Sequence, residues 1–135
     1  MRIITGTARG MRLETLEGTA TRPTAEKVKE ALFSMIQFDI EGRRVLDLFG
    51  GSGQLALEAV SRGAAHAVVC DVSDAACEVI RRNIVKTHSE KEVTLIHADF
   101  RQALDRLPAG SKFDIVFLDP PYNKGLVASA LAEIH

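Results

Sequence analysis

From residue 44 onward the chain alternates between short apolar runs and segments whose apolar residues recur at helical spacing. The runs have the length of buried strands and read RVLDLF at 44–49, HAVVC at 66–70, VTLIH at 93–97 and FDIVFLD at 113–119. Helices are predicted between them at about 54–62, from a cap at Asp74, and at about 101–107. Such alternation produces right-handed crossovers, so we predict an α/β fold with a parallel sheet and helices on both faces.

The residues before this pattern predict a small β-hairpin. Two short extended runs, RIIT at 2–5 and MRLET at 11–15, flank a pair of glycines. We expect one domain over residues 1–135, with residues 1–20 as an N-terminal hairpin extension.

A helix is predicted after the TRPT turn at 21–24, with Thr24 as its N-cap. Its apolar residues at helical spacing are expected to face the core, and they are Val28, Leu32, Met35 and Ile36.

Composition sets broad limits on function. The chain has 135 residues, 46% of them apolar and 26% charged, with a net charge of −1, which neither demands nor excludes a nucleic-acid partner. No apolar run approaches ~20 residues and no signal peptide opens the chain, so we expect a cytoplasmic protein without a membrane partner. Cys70 and Cys77 are expected to be free and buried, and the scattered histidines predict no metal site.

The GGSG segment after the first strand has two readings. Gly51, Gly53 and Ala56 satisfy the GxGxxG/A pattern of a nucleotide-binding loop, and Asp71 follows the loop by about 20 residues, where a carboxylate would bind ribose hydroxyls. An NAD enzyme and an S-adenosylmethionine (SAM) enzyme would both use this arrangement. The same glycines can also form a tight turn that binds nothing.

Acidic residues recur at the ends of the predicted strands. Asp71, Asp99 and Asp119 stand at or beside strand ends, and Asp47 precedes the glycines by a few residues. Because the carboxyl ends of parallel strands meet at one edge, the set predicts a site for a polar ligand there. Each acid alone could instead cap a helix or a turn.

The DPPY sequence at 119–122 forms a rigid corner after the fourth strand, because neither proline can continue a central strand. The Asp119 carboxylate and the Pro120 carbonyl are acceptors, Pro121 stiffens the corner, and the Tyr122 ring is a stacking surface. Together they suit a planar base with an exocyclic amine, held for in-line attack on the methyl group of SAM. A plain Pro-Pro turn is the alternative.

Three segments carry a resemblance to a known family. They are MRIITGTARGMRLET, TRPTAEKVKEALFSMI and VLDLFGGSGQLALEAVSRGA, and DPPY adds the signature of amino-methyltransferases that use SAM. Together they resemble the bacterial small-subunit (16S) ribosomal RNA guanine-N2 methyltransferases, the RsmD family, over essentially the whole chain. The resemblance implies a Rossmann-like methyltransferase sheet, SAM as cofactor with S-adenosylhomocysteine as product, and 16S rRNA or the assembling small subunit as partner.

The resemblance also implies roles for individual residues. Those expected to bind SAM are Asp47, Gly51 and Gly53 at the methionine part, Asp71 at the ribose, Asp99 and Phe100 at the adenine, and Thr21, Arg22 and Thr24 closing over the methionine end. Those expected to hold the target guanine are Asp119, Pro120, Pro121 and Tyr122.

The chain departs from the family pattern at two places. The segment DVSD at 71–74 is less basic than expected, which argues against an RNA contact by this loop. Gly50 replaces a frequent alanine, a change that we expect to be harmless.

Only four strands are predicted, whereas a sheet of this type resembles a seven-stranded design. We therefore expect the C-terminal strands to be missing after His135, the fourth strand to be an apolar edge, and the activity of this form to be uncertain. The rival functions are a DNA adenine-N6 methyltransferase, an NAD-dependent oxidoreductase and a non-catalytic SAM-binding fragment. The arginines that could contact RNA phosphates are Arg2, Arg9 and Arg12.

Overall fold

A computed structural model describes residues 2–15, 23–108 and 110–118, with the backbone alone for residues 23–26. The helices and strands alternate in the predicted manner after the first helix. In chain order they are α1 (Pro23–Ile36), β1 (Arg44–Asp47), α2 (Gln54–Ser61), β2 (His66–Asp71), α3 (Asp74–Lys86), β3 (Val93–His97), α4 (Phe100–Arg106) and β4 (Ile115–Phe117).

The four strands form one parallel sheet in the order β3-β2-β1-β4. The chain therefore moves from β1 outward to β3 and then returns to the other side of β1. All strand ends that lead into the next helix or loop lie at the same edge, which we call the carboxyl edge.

Both faces of the sheet are covered, as the sequence predicts. Residues from α1, α2 and α3 pack in one apolar cluster with alternate strand residues such as Val45, Val69 and Val93. The remaining strand residues, including Leu46 and Val68, pack with α4 in a second cluster. The alternation of inward side chains along each strand divides the core between the two faces.

Helix α1 presents a different face to the core from the one that we expected. Val28 is 62% exposed and Met35 is 82% exposed, whereas Phe33 is 0% exposed. The Phe33 ring lies 5.8 Å from the ring of Phe117 on β4, and the Lys29 ammonium pairs with Glu58 on α2. These two contacts set the rotation of the helix, so the prediction for Val28 and Met35 is wrong.

Two predicted helix caps are also wrong. Helix α1 begins at Pro23, one residue before Thr24, because proline suits the first helical turn, where its missing N–H costs nothing. In α3 the N-cap is Ser73, whose hydroxyl accepts a hydrogen bond from the backbone N–H of Ala76, and Asp74 is already helical.

Residues 2–15, the N-terminal segment, reverse direction as the predicted hairpin does. An isolated antiparallel bridge joins Arg2 and Arg12 in place of two regular strands. The Ile3 N–H donates to the Met11 carbonyl at 3.0 Å, and both Ile3 and Leu13 are buried in the first cluster. The segment is therefore packed onto the body of the domain.

A buried carboxylate on α2 anchors this segment. Glu58, 0% exposed, accepts hydrogen bonds from the backbone N–H groups of Ile4 at 2.8 Å and Thr5 at 3.1 Å. It also pairs with the Lys29 Nζ at 3.1 Å and the Arg62 Nε at 2.9 Å. Burial by itself raises the pKa of Glu58, but these donors more than offset it, so the pKa lies below its ordinary value of 4.5.

We predict that Glu58→Gln destabilises the protein by about 3–5 kcal/mol at neutral pH, because the buried Lys29 loses its carboxylate partner. The pKa of Glu58 is lower in the folded protein than in the unfolded chain. The stabilisation that its charge provides is therefore complete above about pH 4.5 and is lost as the pH falls through the folded-state pKa. Urea unfolding of both proteins at several pH values should show their difference shrinking in acid. The exposed Glu78→Gln is the control, and a pH-independent difference would contradict the assignment.

A second prediction concerns Gly6, where a Cβ would lie 1.8 Å from the Ser61 carbonyl oxygen. Gly6→Ala should cost about 2–5 kcal/mol, the sum of left-handed strain and displacement of the N-terminal segment. Gly10→Ala is a matched control, because Gly10 also has a positive φ but no neighbour within 4 Å of its Cβ position. Equal losses in the free energy of unfolding for the two variants would show that the close approach is unimportant.

Candidate functional site

Residues 49–53, in the loop between β1 and α2, turn at the carboxyl edge and are called here the glycine loop. Gly51 and Gly53 have φ values of +59° and +80°, which favour glycine. The Gly50 N–H donates to the Cys70 carbonyl at 2.8 Å, and the Gly53 N–H donates to the Gly50 carbonyl at 2.8 Å. The loop is therefore a tight turn held against the end of β2.

Asp71, the last residue of β2, bonds directly to this loop. Its Oδ2 accepts from the Gly51 N–H at 2.9 Å, and its Oδ1 accepts from the Ser73 N–H at 2.9 Å. Asp71, about 20 residues after the loop in the sequence, is thus in direct contact with it. Each carboxylate oxygen has a further lone pair, so Asp71 can accept from a ligand hydroxyl as well. Its role at a ribose stays a prediction.

The start of α2 offers N–H groups to an anion. Its N-cap, Gly53, has no side chain to cap the helix, and no acidic residue lies in the first turn. The first helical bond runs from the Leu57 N–H to the Gly53 carbonyl at 2.9 Å, so the preceding N–H groups point beyond the helix end. Together with the helix dipole, they favour a carboxylate or phosphate at this position.

Asp47 is the last residue of β1 and shortly precedes the glycine loop in the chain. Its side chain is buried, and its Oδ1 accepts from the Phe49 N–H at 3.2 Å, which starts the turn that the glycines complete. This arrangement gives Asp47 a role in shaping the loop. Its contact with a ligand stays a prediction.

Asp99 and Phe100 begin α4 after β3. Asp99 is the N-cap of α4, and its Oδ1 accepts from the Gln102 N–H at 2.8 Å. The Phe100 ring is buried, with its centroid 5.6 Å from that of Phe49 and the Arg101 guanidinium 4.9 Å away. Both residues thus have structural roles, and the predicted contact with adenine stays a prediction.

Gly50 is more constrained than the sequence suggested. A Cβ at this position would lie 2.5 Å from the Val69 Cγ2, inside a buried part of β2. Because Val69 is β-branched and buried, it has little room to move. The glycine of this chain avoids that contact, and the expectation that Gly50 is a harmless replacement for alanine stays a prediction.

Several predicted site residues lie outside the described part of the chain: Thr21, Arg22, Asp119, Pro120, Pro121 and Tyr122. Thr24 belongs to the first turn of α1, where the backbone alone is described. The described part does include the end of β4, which precedes the DPPY sequence in the chain. The Leu48 N–H donates to the Phe117 carbonyl at 3.3 Å, so β4 ends beside the start of the glycine loop.

Asn83 was missed by the sequence analysis. It lies on α3 with its side chain 0% exposed, and its carboxamide bonds to the Ser52 carbonyl in the glycine loop and to the backbone of Glu14. The sequence did contain one indication of its role, because Asn83 stands between Ile80 and Ile84 on the apolar face of α3. A polar residue on a buried face requires hydrogen-bond partners.

Cys70 and Cys77 are free and buried, as predicted. Burial, followed by the negative charges of Asp47 and Asp71, raises the pKa of Cys70 to about 12. The thiol therefore stays protonated and packs as a small apolar group.

Among the described helices, none is long and apolar enough to cross a membrane.

Comparison with known proteins places the chain in a family. The family model described as "Conserved hypothetical protein 95" matches residues 1–135. A Bacillus subtilis protein named "Putative rRNA methyltransferase YlbH" is 38% identical over 99% of this chain and 73% of its own length. The "Ribosomal RNA small subunit methyltransferase D" of Haemophilus influenzae is 34% identical over 98% of this chain and 69% of its own length.

The fold agrees with this relationship. The solved structure titled "Putative methyltransferase yhhF from Escherichia coli" superposes with a TM-score of 0.86 at 32% identity, covering 99% of this chain and 72% of the other. The chain therefore belongs to the Conserved hypothetical protein 95 family, together with the ribosomal RNA small subunit methyltransferases D, and has their Rossmann-like methyltransferase fold.

Proposed function

We propose that this chain transfers a methyl group from SAM to the exocyclic N2 amine of a guanine in 16S ribosomal RNA. The observation that carries the proposal is the match, along nearly the whole chain, to proteins named for methylation of small-subunit ribosomal RNA. The substrate is the naked RNA or the assembling small subunit, and the second product is S-adenosylhomocysteine.

The glycine loop and its surroundings fit SAM. A Cβ at Gly51 would meet no atom within 4 Å, so there is open space beside the loop backbone. The uncapped start of α2 suits the carboxylate of the methionine part, and Asp71 suits the ribose hydroxyls. Asp47 and Gly53 shape the loop around the same part of the ligand.

The other residues in contact with SAM are inferred from the resemblance. Asp99 and Phe100 would lie near the adenine, and Thr21, Arg22 and Thr24 would close over the methionine end. When bound, SAM supplies an electrophilic methyl group on a sulfonium sulfur.

The DPPY corner would hold the guanine. The Asp119 carboxylate and the Pro120 carbonyl accept hydrogen bonds from the N2 amine, Pro121 keeps the corner rigid, and the Tyr122 ring stacks on the base. These acceptors orient the nitrogen lone pair toward the methyl group. Positive charge grows on the nitrogen as it attacks, so the fixed carboxylate attracts it more strongly in the transition state than before.

The N-terminal segment suits contact with RNA phosphates. Arg2, Arg9 and Arg12 are exposed, and no ion pair is formed by any of them within the described ranges. Arg2 and Arg12 lie opposite each other in the antiparallel bridge, where like charges repel unless an anion lies between them. A phosphate group would relieve this repulsion and bind electrostatically.

The substrate assignment predicts a specific methylated nucleoside. With tritiated SAM, label should enter 16S rRNA or small subunits from cells that lack this activity, and digestion should yield N2-methylguanosine. Duplex DNA is the control, because a DNA adenine methyltransferase would label it and produce N6-methyladenine. No label in any substrate despite SAM binding would favour a non-catalytic SAM-binding fragment.

For Asp71→Ala we predict SAM binding weaker by about 1.5–3 kcal/mol, the worth of hydrogen bonds to a charged group. The variant loses the ribose acceptor and also the bond that holds Gly51. Calorimetry of SAM binding measures the loss, and Asp74→Ala, an exposed carboxylate three residues away, should bind SAM normally. The ribose role is wrong if Asp71→Ala binds SAM as tightly as the parent, or if the parent prefers NAD.

For Asp119→Ala we predict a fall in kcat of about 10²–10³ with nearly unchanged SAM affinity. Asp119→Asn keeps an acceptor oxygen and should lose less, and Tyr122→Ala should mainly raise the KM for RNA. Single-turnover methylation separates these effects. The control Asp114→Ala removes a carboxylate near the other end of β4, which bonds to the Arg44 N–H. A parental rate for Asp119→Ala, or a loss explained by SAM affinity alone, would reject this role.

A further inference from the structure

The carboxamide of Asn83 makes three hydrogen bonds to backbone atoms of two distant segments. Its Oδ1 accepts from the Glu14 N–H at 2.7 Å, and its Nδ2 donates to the Glu14 carbonyl at 2.9 Å. The second hydrogen of Nδ2 goes to the Ser52 carbonyl at 2.8 Å. Both amide hydrogens are thus used, and the side chain is completely buried.

These bonds matter because of what Ser52 and Glu14 belong to. Ser52 stands between Gly51 and Gly53 at the centre of the glycine loop, and Glu14 lies near the end of the N-terminal segment. Glycine residues have no side chains that could hold the loop by packing. Its shape therefore depends on bonds to its backbone, of which Asp71 supplies one at Gly51 and Asn83 supplies one at Ser52.

We propose that Asn83 is a positioning residue that holds the glycine loop in its SAM-binding shape and couples it to the N-terminal segment. The inference rests on the proposed function for the identity of the ligand. Coupling through one side chain is reciprocal, so a ligand that stabilises the loop also stabilises the contact at Glu14. The segment that carries Arg2, Arg9 and Arg12 would then be docked most firmly when the cofactor is bound.

The variant Asn83→Asp tests the loop contact, because it keeps the size and the acceptor oxygen but loses both donors. It places a carboxylate against the carbonyl oxygens of Ser52 and Glu14. We expect hydrogen exchange at the Gly51 and Gly53 amides to accelerate without ligand, and the Kd for SAM to rise about tenfold. At saturating SAM, kcat should change little, a split between binding and chemistry that a general loss of stability would not produce.

Arg82→Ala is the matched control on the same helix. Arg82 pairs with the Glu14 side chain at the surface, so its removal disturbs the same residue but leaves the carboxamide bonds in place. Its Kd for SAM and its loop exchange should equal those of the parent. An Asn83→Asp variant with parental SAM affinity and parental loop exchange would overturn the inference.

A third measurement uses the parent protein and remains valid if Asn83→Asp fails to fold. Addition of SAM should slow exchange at the Glu14 amide together with the Gly51 amide. Protection of Gly51 with unchanged exchange at Glu14 would overturn the coupling. Failure of the parent to bind SAM would overturn the proposed function instead, and the ligand-free exchange of Asn83→Asp would then decide whether Asn83 holds the loop.

Discussion

The reversal of strand order at β1 is the constraint on which the arrangement of the site depends. β2 and β3 extend the sheet on one side of β1 and β4 returns to the other side. Right-handed crossovers then put α2 and α3 on one face and α4 on the opposite face. Between β1 and β4 the carboxyl edge is left without a crossover helix, and ligands bind at such points in open α/β sheets. The glycine loop and the end of β4 meet there because of this topology.

Two buried polar side chains attach the N-terminal segment to this framework. Glu58 on α2 binds the backbone N–H groups of residues 4 and 5, and Asn83 on α3 binds both backbone groups of residue 14. A buried charge is costly unless several donors surround it, and Glu58 has four. Both helices follow strands that form the site. The segment is therefore held by the elements that shape the glycine loop.

Much of the fold could be predicted because apolar runs and helical spacing report on burial directly. The third strand was predicted at 93–97 and is observed as Val93–His97. The fourth was predicted at 113–119, and within its described part the observed strand is Ile115–Phe117. The rotation of α1 could not be predicted, because its apolar residues allow more than one inward face. Contacts with Phe117 and Glu58, both remote in sequence, select the observed one.

Residues of the site could be predicted only where they form a recognisable pattern in the sequence. The glycines and Asp71 matched a nucleotide-binding pattern, and the structure joins Gly51 and Asp71 by a hydrogen bond, although the predicted ribose role stays a prediction. Asn83 escaped because its partners are backbone atoms, 69 residues away for Glu14, and Glu58 escaped because two of its four partners are backbone N–H groups, 54 residues away for Ile4. Backbone atoms leave no complementary residue in the sequence. The burial cost of a polar group still implies that partners exist. A polar residue on the apolar face of a predicted helix therefore indicates a buried hydrogen-bonded contact, although only the structure shows which segment that residue binds.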